Sequence, residues 1–168
     1  MTDSQLSRLF RQLPDRDAFT AIYEGMKQPI YTVCLRILLN REAAEDVCHD
    51  VFLKLYTSPP DPSVVKVRAW IFRVARNLAI DVLRRNHHFQ METLDSRDYP
   101  CYPDWDTRLA LEAAICRLPV QEREILTLHI NGELGFAQIS AITGTSLSSV
   151  YRSYRRAIRQ LQNNLMEE

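Results

Sequence analysis

The sequence predicts an all-α fold, and three observations carry that prediction. Apolar residues recur at three- and four-residue spacings along most of the 168-residue chain, the signature of amphipathic helices. Only four glycines occur, and runs that alternate strictly between apolar and polar residues are scarce. Hydrophobic residues make up 46 % of the chain, enough for a packed core, and the length admits one ordinary domain or two small ones.

Phe19, Ile22, Tyr23 and Met26 mark a first helix, which Pro29 is expected to interrupt. Ile30, Val33, Cys34, Ile37 and Leu38 mark a second. A third begins near Glu42 with Ala44, Val47, Cys48, Val51, Phe52 and Leu55 on one stripe, and SPPDP (58–62) ends it. A fourth, from about Val67 to Arg85, turns Val67, Trp70, Ile71, Val74, Ala75, Leu78 and Val82 inward. Residues 86–105 carry two prolines and many acids without a clear period, and read as a linker. Leu109, Ala113 and Cys116 then suggest a helix that ends at Leu118-Pro119. Gln121–Asn131 forms the next, Phe136–Thr143 a short one, and Leu147 to about Leu165 the last, with Ser146 as its N-cap. The expected organisation is therefore two small helical domains, 1–86 and 109–168, joined by a flexible acidic linker, 87–108.

The net charge is zero, with 21 basic and 21 acidic residues, but the charges are sorted along the chain. Residues 1–56 carry 7 basic and 8 acidic groups, 57–86 carry 6 and 2, 87–116 carry 2 and 6, and 117–168 carry 6 and 5. Two basic blocks are thus separated by an acidic one, and distribution matters more than net charge for nucleic-acid binding. No apolar run approaches the roughly 20 residues that span a bilayer. The charged N-terminus lacks the apolar stretch of a signal peptide. A cytoplasmic protein without intrinsic membrane association is expected, with its four cysteines as free thiols.

The last helix carries the clearest motif. At about 100° per residue, Leu147, Val150, Tyr154, Ile158, Leu161 and Leu165 share one face. Ser149, Arg152, Arg156 and Arg159 share the other, with Ser148 and Arg155 at the flank. A short helix, Gly144, then a helix with an arginine-rich outer stripe is the layout of a helix-turn-helix, whose second helix enters the major groove. A merely solvated face normally mixes charge signs; this one holds no acid. Tyr151 lies nearer the apolar edge, which suits packing as well as base contact. On the fourth helix, Arg73, Arg76, Asn77, Ile80 and Arg84 face away from the core, a basic face with a residue suited to base edges. The third helix has the opposite character: Glu42, Glu45, Asp46, His49 and Asp50 form an acidic stripe that repels DNA and suits a basic protein surface.

AEDVCHDVFLKLY (44–56), followed by RAWIFRVARNLAIDVLRR (68–85), resembles region 2 of bacterial RNA polymerase sigma factors of the extracytoplasmic-function (ECF) group. LPVQEREILTLHINGELGFAQISAITGTSLSSVYRSYRRAIRQL (118–161) resembles region 4 of the same group. The likeness covers about residues 16–86 and 109–163. It implies a non-catalytic protein that binds core RNA polymerase and directs promoter-specific initiation without a cofactor. Glu45, Asp46 and Asp50 would dock on the clamp helices of the largest subunit, with the polymerase flap as a further partner. The loop of about Pro62–Arg68 would capture a flipped base of the −10 element. Lys66, Arg73, Arg76, Asn77, Arg84 and Arg85 would contact DNA there. Ser148, Ser149, Tyr151, Arg152, Arg155 and Arg156 would read the −35 element. The linker would thread toward the RNA exit path, and an anti-sigma factor, membrane-bound in some cases, would hold the protein inactive. The SLSSV start of the last helix is similar to the iron-starvation subgroup.

The chain also departs from the group's usual pattern. His49 stands where Gln is common, and the loop 62–67 lacks an aromatic residue. Ser140, Thr143 and Thr145 replace residues usually apolar or Ala, which predicts a less tightly packed helix-turn-helix core. Tyr151 stands where Lys is common, so the −35 sequence does not carry over. The competing reading of the whole chain is a free-standing helix-turn-helix regulator with an N-terminal dimerisation or sensing bundle, which needs neither the acidic stripe nor the basic fourth helix. Other chemistry finds little support. His87, His88, Cys101 and Cys116 match no compact zinc spacing, no GxxxxGK[ST] phosphate loop occurs, and Asp95, Asp98, Asp104 and Asp106 read as solvated linker carboxylates. Cys101 in the linker is the one candidate redox-sensitive thiol, and Trp105 a candidate to pack the linker on a domain.

Overall fold

The computed structural model describes residues 1–90 and 107–166, in eight helices: α1 (Asp3–Gln12), α2 (Arg16–Leu38), α3 (Arg41–Thr57), α4 (Val67–Gln90), α5 (Thr107–Cys116), α6 (Val120–Ile130), α7 (Phe136–Thr143) and α8 (Leu147–Met166). They form two compact units, Met1–Arg84 and Arg85–Glu168. The expected role of Cys101, the packing of Trp105 and the carboxylates of 95–106 lie outside the described residues.

In the first unit, α2 is one helix of 23 residues with Pro29 inside it. The expected break at Pro29 does not occur. Ile22, Met26, Ile30, Val33, Cys34 and Ile37 are all buried and continue one stripe across the proline. A proline in a helix interior costs about 3 kcal/mol, whereas each large apolar side chain buried contributes about 1.5–3 kcal/mol, so the stripe outweighs the missing N–H. Leu39 then closes α2 in the left-handed region (φ 53°), and Asn40 caps α3 by accepting from the Ala43 N–H at 2.9 Å. This two-residue connection folds α3 back along α2, and the pair forms an extensive helix–helix interface.

α1 is a helix beyond those expected above, although Leu6, Leu9, Phe10 and Leu13 recur at helical spacing. Thr2 and Gln5 form a capping box, and Leu6 and Phe10 are buried as α1 packs on α2. On α4 the inward face is rotated from the expected one. Phe72 and Ala79 are fully buried beside Val67, Ile71, Val74 and Ala75, while Trp70, Leu78 and Val82 are only half-buried.

In the second unit α6 is central: every residue from Glu122 to Leu128 is buried. Arg123 donates to the carbonyls of Cys116 (2.8 Å) and Leu118 (2.9 Å), satisfying the open end of α5. α8 packs on α5, α6 and α7. Ala114, Ile115, Leu118, Leu126, Ala157 and Leu161 form a core with Tyr154 and Ile158 at its edge. Small Ser153 and Ala157 are buried where α8 meets its neighbours, while Leu147, expected in the core, is 43 % exposed at the first position of the helix. The two revisions predict a contrast. Phe72→Ala should cost about 3–5 kcal/mol and Leu147→Ala less than about 0.5 kcal/mol, read from denaturant unfolding of each unit's own transition. Equal losses would contradict these burial assignments.

Candidate polymerase and nucleic-acid interfaces

Helix α3 turns one face fully into the unit and the other fully out. Val47, Cys48, Val51, Phe52 and Leu55 are buried; Glu42, Glu45, Asp46, His49 and Asp50 are exposed. Burial of the first set by α2 is what fixes the direction of the second. The acidic face does not end in charge. Leu53, which follows Asp46 and Asp50 at helical spacing, is 53 % exposed, and Tyr56 is 54 % exposed. Tyr56 stands edge-on to Phe19 (5.3 Å between centroids), and Tyr23 lies 4.6 Å from Phe52. A search of the outer stripe for acids alone misses Leu53. The same wheel, read for exposed apolar residues, finds it.

Between α3 and α4 the chain is shaped by Asp61. Its carboxylate accepts from the Ser63 N–H at 2.8 Å and from the Ser63 hydroxyl, and its carbonyl from the Val64 and Val65 N–H groups at 3.1 and 3.2 Å. The Ser63 hydrogen bonds hold the Asp61 carboxyl below its usual pKa. Val64 is 78 % exposed and Lys66 is exposed. Arg68, expected at the loop's far end, is instead part of α4 and buried. Along α4, Arg73, Asn77, Arg84 and Arg85 are exposed, and Arg76 and Ile80 are half-buried. Arg84 approaches Asp81 at only 3.9 Å with both side chains exposed, a pairing worth at most about 1 kcal/mol.

In the second unit, Gly144 closes α7 with φ +70°, a conformation open to glycine at little cost. Ser146 caps α8: its hydroxyl accepts from the Ser149 N–H at 3.3 Å. The polar residues of the turn do not loosen it. The Ser140 hydroxyl donates to the Thr145 carbonyl at 2.6 Å, and the Thr143 and Thr145 hydroxyls meet at 2.8 Å, so side-chain bonds take the place of apolar packing. An aromatic cluster sets the angle between the helices. His129 stacks on Phe136 (4.5 Å) and meets Tyr154 edge-on (5.0 Å), while its Nδ1 lies 2.8 Å from the Leu134 carbonyl oxygen. Tyr151 joins this cluster, 4.6 Å from Phe136, yet keeps 48 % of its surface exposed.

Outward from α8 point Ser148, Arg152, Arg155, Arg156 and Arg159, with Ser149 half-buried. Arg152 donates to the Ser149 hydroxyl at 3.2 Å. Arg156 differs from the rest: its Nε lies 3.0 Å from Glu122 Oε1, and Glu122 is buried on α6. The basic stripe therefore meets one acid in space that its own sequence window lacks. Nothing in the spacing of α8 signals this pair, because Glu122 comes from a different helix. Among the described residues no group of three or more His, Cys, Asp and Glu could hold a metal ion, and no helix is long and apolar enough to cross a membrane.

Comparison with known proteins accounts for both units. A family model for Sigma-70 region 2 matches residues 22–89, and one for Sigma-70, region 4 matches residues 108–161. The chain is 26 % identical over 172 residues to the ECF RNA polymerase sigma factor SigW of Bacillus subtilis, covering 91 % of each chain. It is 26 % identical over 170 residues to the ECF sigma factor RpoE of Cereibacter sphaeroides, covering 95 % of this chain and 93 % of that one. Its fold is shared with the sigma factor RpoE of Bartonella quintana, solved with the anti-sigma factor NepR, at a TM-score of 0.68, 17 % identity, and coverage of 88 % and 96 %. With region 2 and region 4 both present in order and spanning most of its length, the chain belongs to the ECF sigma factors of RNA polymerase, non-catalytic proteins that direct the polymerase to promoters.

Proposed function

We propose that this sigma factor docks on core polymerase through α3 and reads a promoter at two places. The loop 58–66 and the outer face of α4 take the −10 element, and the N-terminal half of α8 takes the −35 element. The observation that carries this reading is the opposed chemistry of neighbouring surfaces. α3 presents only acids, His49 and Leu53 outward in its middle turns, whereas α4 presents arginines and an asparagine with a single acid, Asp81. An acidic face repels a phosphate backbone, so it serves a protein partner, and Glu45, Asp46 and Asp50 are the groups that would meet basic residues of the clamp helices. Arg73, Arg76, Asn77, Arg84 and Arg85, with Lys66, supply charge and donors for DNA.

On α8 the forked donors of Arg152 and Arg155 suit guanine edges or phosphate, and the capped helix start at Ser148 and Ser149 suits a phosphate. Tyr151 offers an exposed ring edge while its packing on Phe136 fixes it. Arg156 serves two partners, Glu122 behind and DNA in front. Unwinding at the −10 element would draw on polymerase binding energy, since flipping out one base costs a few kcal/mol.

An anti-sigma partner fits this reading, because sigma factors with this fold are solved with such partners, as with NepR. The flap would hold region 4, and the protein would act in the cytoplasm. The SLSSV start of α8 supports the iron-starvation subgroup, whose regulators are membrane-bound; recovery of a soluble regulator in a pull-down that retains membrane proteins would count against it.

Asp46→Arg should weaken core polymerase binding about tenfold or more in a fluorescence titration, with the fold unchanged by circular dichroism. An unchanged affinity would remove α3 from the interface. Arg155→Ala should weaken promoter binding by the holoenzyme at about 1–3 kcal/mol without moving thermal stability. Arg156→Ala should do both, losing about 1–3 kcal/mol of stability because Glu122 is left buried without its cation. If the two variants behave alike in melting experiments, the Glu122 pairing is of no energetic consequence.

A further inference from the structure

Helix α1 lies outside every role assigned so far, yet it touches the point where the loop before α4 enters that helix. At the α4 end, Arg68 is only 5 % exposed, and its Nε lies 2.5 Å from Asp3 Oδ1. A second guanidinium nitrogen donates to the Met1 carbonyl. Within the loop, Asp61 organises the turn through Ser63. α1 therefore reaches the loop where it enters α4, through Arg68.

The helix is itself fixed. Leu6 and Phe10 are buried against the unit, and Thr2 and Gln5 cap its start. The Met1 side chain fills the space beside Gly25 on α2, where an added Cβ would collide with Met1 Cε. The loop leaves Val64 and Lys66 in solvent. Asp61 ties its middle together, and the Arg68 contacts fix where its last residues join α4.

We infer that α1 is a brace that holds the α4 end of the loop 58–66 in the form that captures an unstacked base, with Asp3, acting through Arg68, as the positioning residue. This inference rests on the reading of that loop as the −10 capture site. A loop that populates its competent form about a fifth as often binds about fivefold more weakly. That loss falls on single-strand capture and leaves polymerase docking by α3 untouched.

The test uses the full chain reconstituted with core polymerase. The probe is the single-stranded DNA selected by the wild-type holoenzyme from a randomised fluorescent pool. Asp3→Ala and Asp3→Asn, at an exposed side chain, should each weaken capture of that strand about fivefold, with core polymerase affinity unchanged. Lys66→Glu and Val64→Asp, within the loop, report on the underlying reading. If the loop variants weaken capture and the α1 variants do not, the brace is wrong and the loop reading stands. If the loop variants have no effect, both are wrong. If the α1 variants weaken polymerase binding and strand capture equally, α1 merely stabilises the unit, and the brace is again overturned.

Discussion

A surface that accepts a basic protein and a surface that grips phosphate cannot be the same surface. In a chain with zero net charge, the only solution is to separate the charges, and helices separate them economically. Burial of Val47, Cys48, Val51, Phe52 and Leu55 by α2 forces Glu45, Asp46 and Asp50 outward together. The same logic on α4 sinks Ile71, Phe72, Ala75 and Ala79 and leaves Arg73 and Asn77 outside. Each face proposed for docking or DNA is thus the reverse side of a packing face. The tight Leu39-Asn40 connection, with Leu39 in the left-handed region at a cost of about 1–2 kcal/mol, belongs to this arrangement because it returns α3 along α2.

The second unit solves a related problem, the orientation of one helix. α8 has few acids to hold it and many arginines to keep free. Its position comes from small buried residues, Ser153 and Ala157, which admit close approach, and from the aromatic set of His129, Phe136, Tyr151 and Tyr154. Glu122 adds one directed ion pair to Arg156. The polar turn of Ser140, Thr143 and Thr145 closes through its own hydrogen bonds. A helix-turn-helix with an unusual turn composition therefore keeps a fixed turn.

Periodicity makes the outer faces legible in the sequence: the acidic stripe of α3, the arginines of α8 and the N-cap at Ser146 all follow from spacing. What stays hidden follows from interactions that spacing does not encode. Pro29 looks like a stop because local propensity opposes it, and only the unbroken buried stripe on both sides overrules that. α1, by contrast, is legible: Leu6, Leu9 and Phe10 follow helical spacing behind the Thr2–Gln5 capping box. Phe72 is buried on α4 and Leu147 exposed on α8 because a wheel gives a face to within a residue, while each helix's neighbours decide which edge is covered. Glu122–Arg156 and Asp3–Arg68 join residues distant in sequence, one pair across helices α6 and α8 and the other 65 positions apart. No single-segment pattern reveals either.

The central claim is that docking and DNA reading are divided between surfaces and that the second depends on the first. Footprinting of promoter fragments selected by the holoenzyme, with the purified chain alone and with the chain on core polymerase, tests it most directly. The account predicts protection of both elements, with strand opening at the upstream edge of the −10 element, only when polymerase is present. A tight, sequence-specific footprint by the chain alone, with no binding to polymerase, would contradict it.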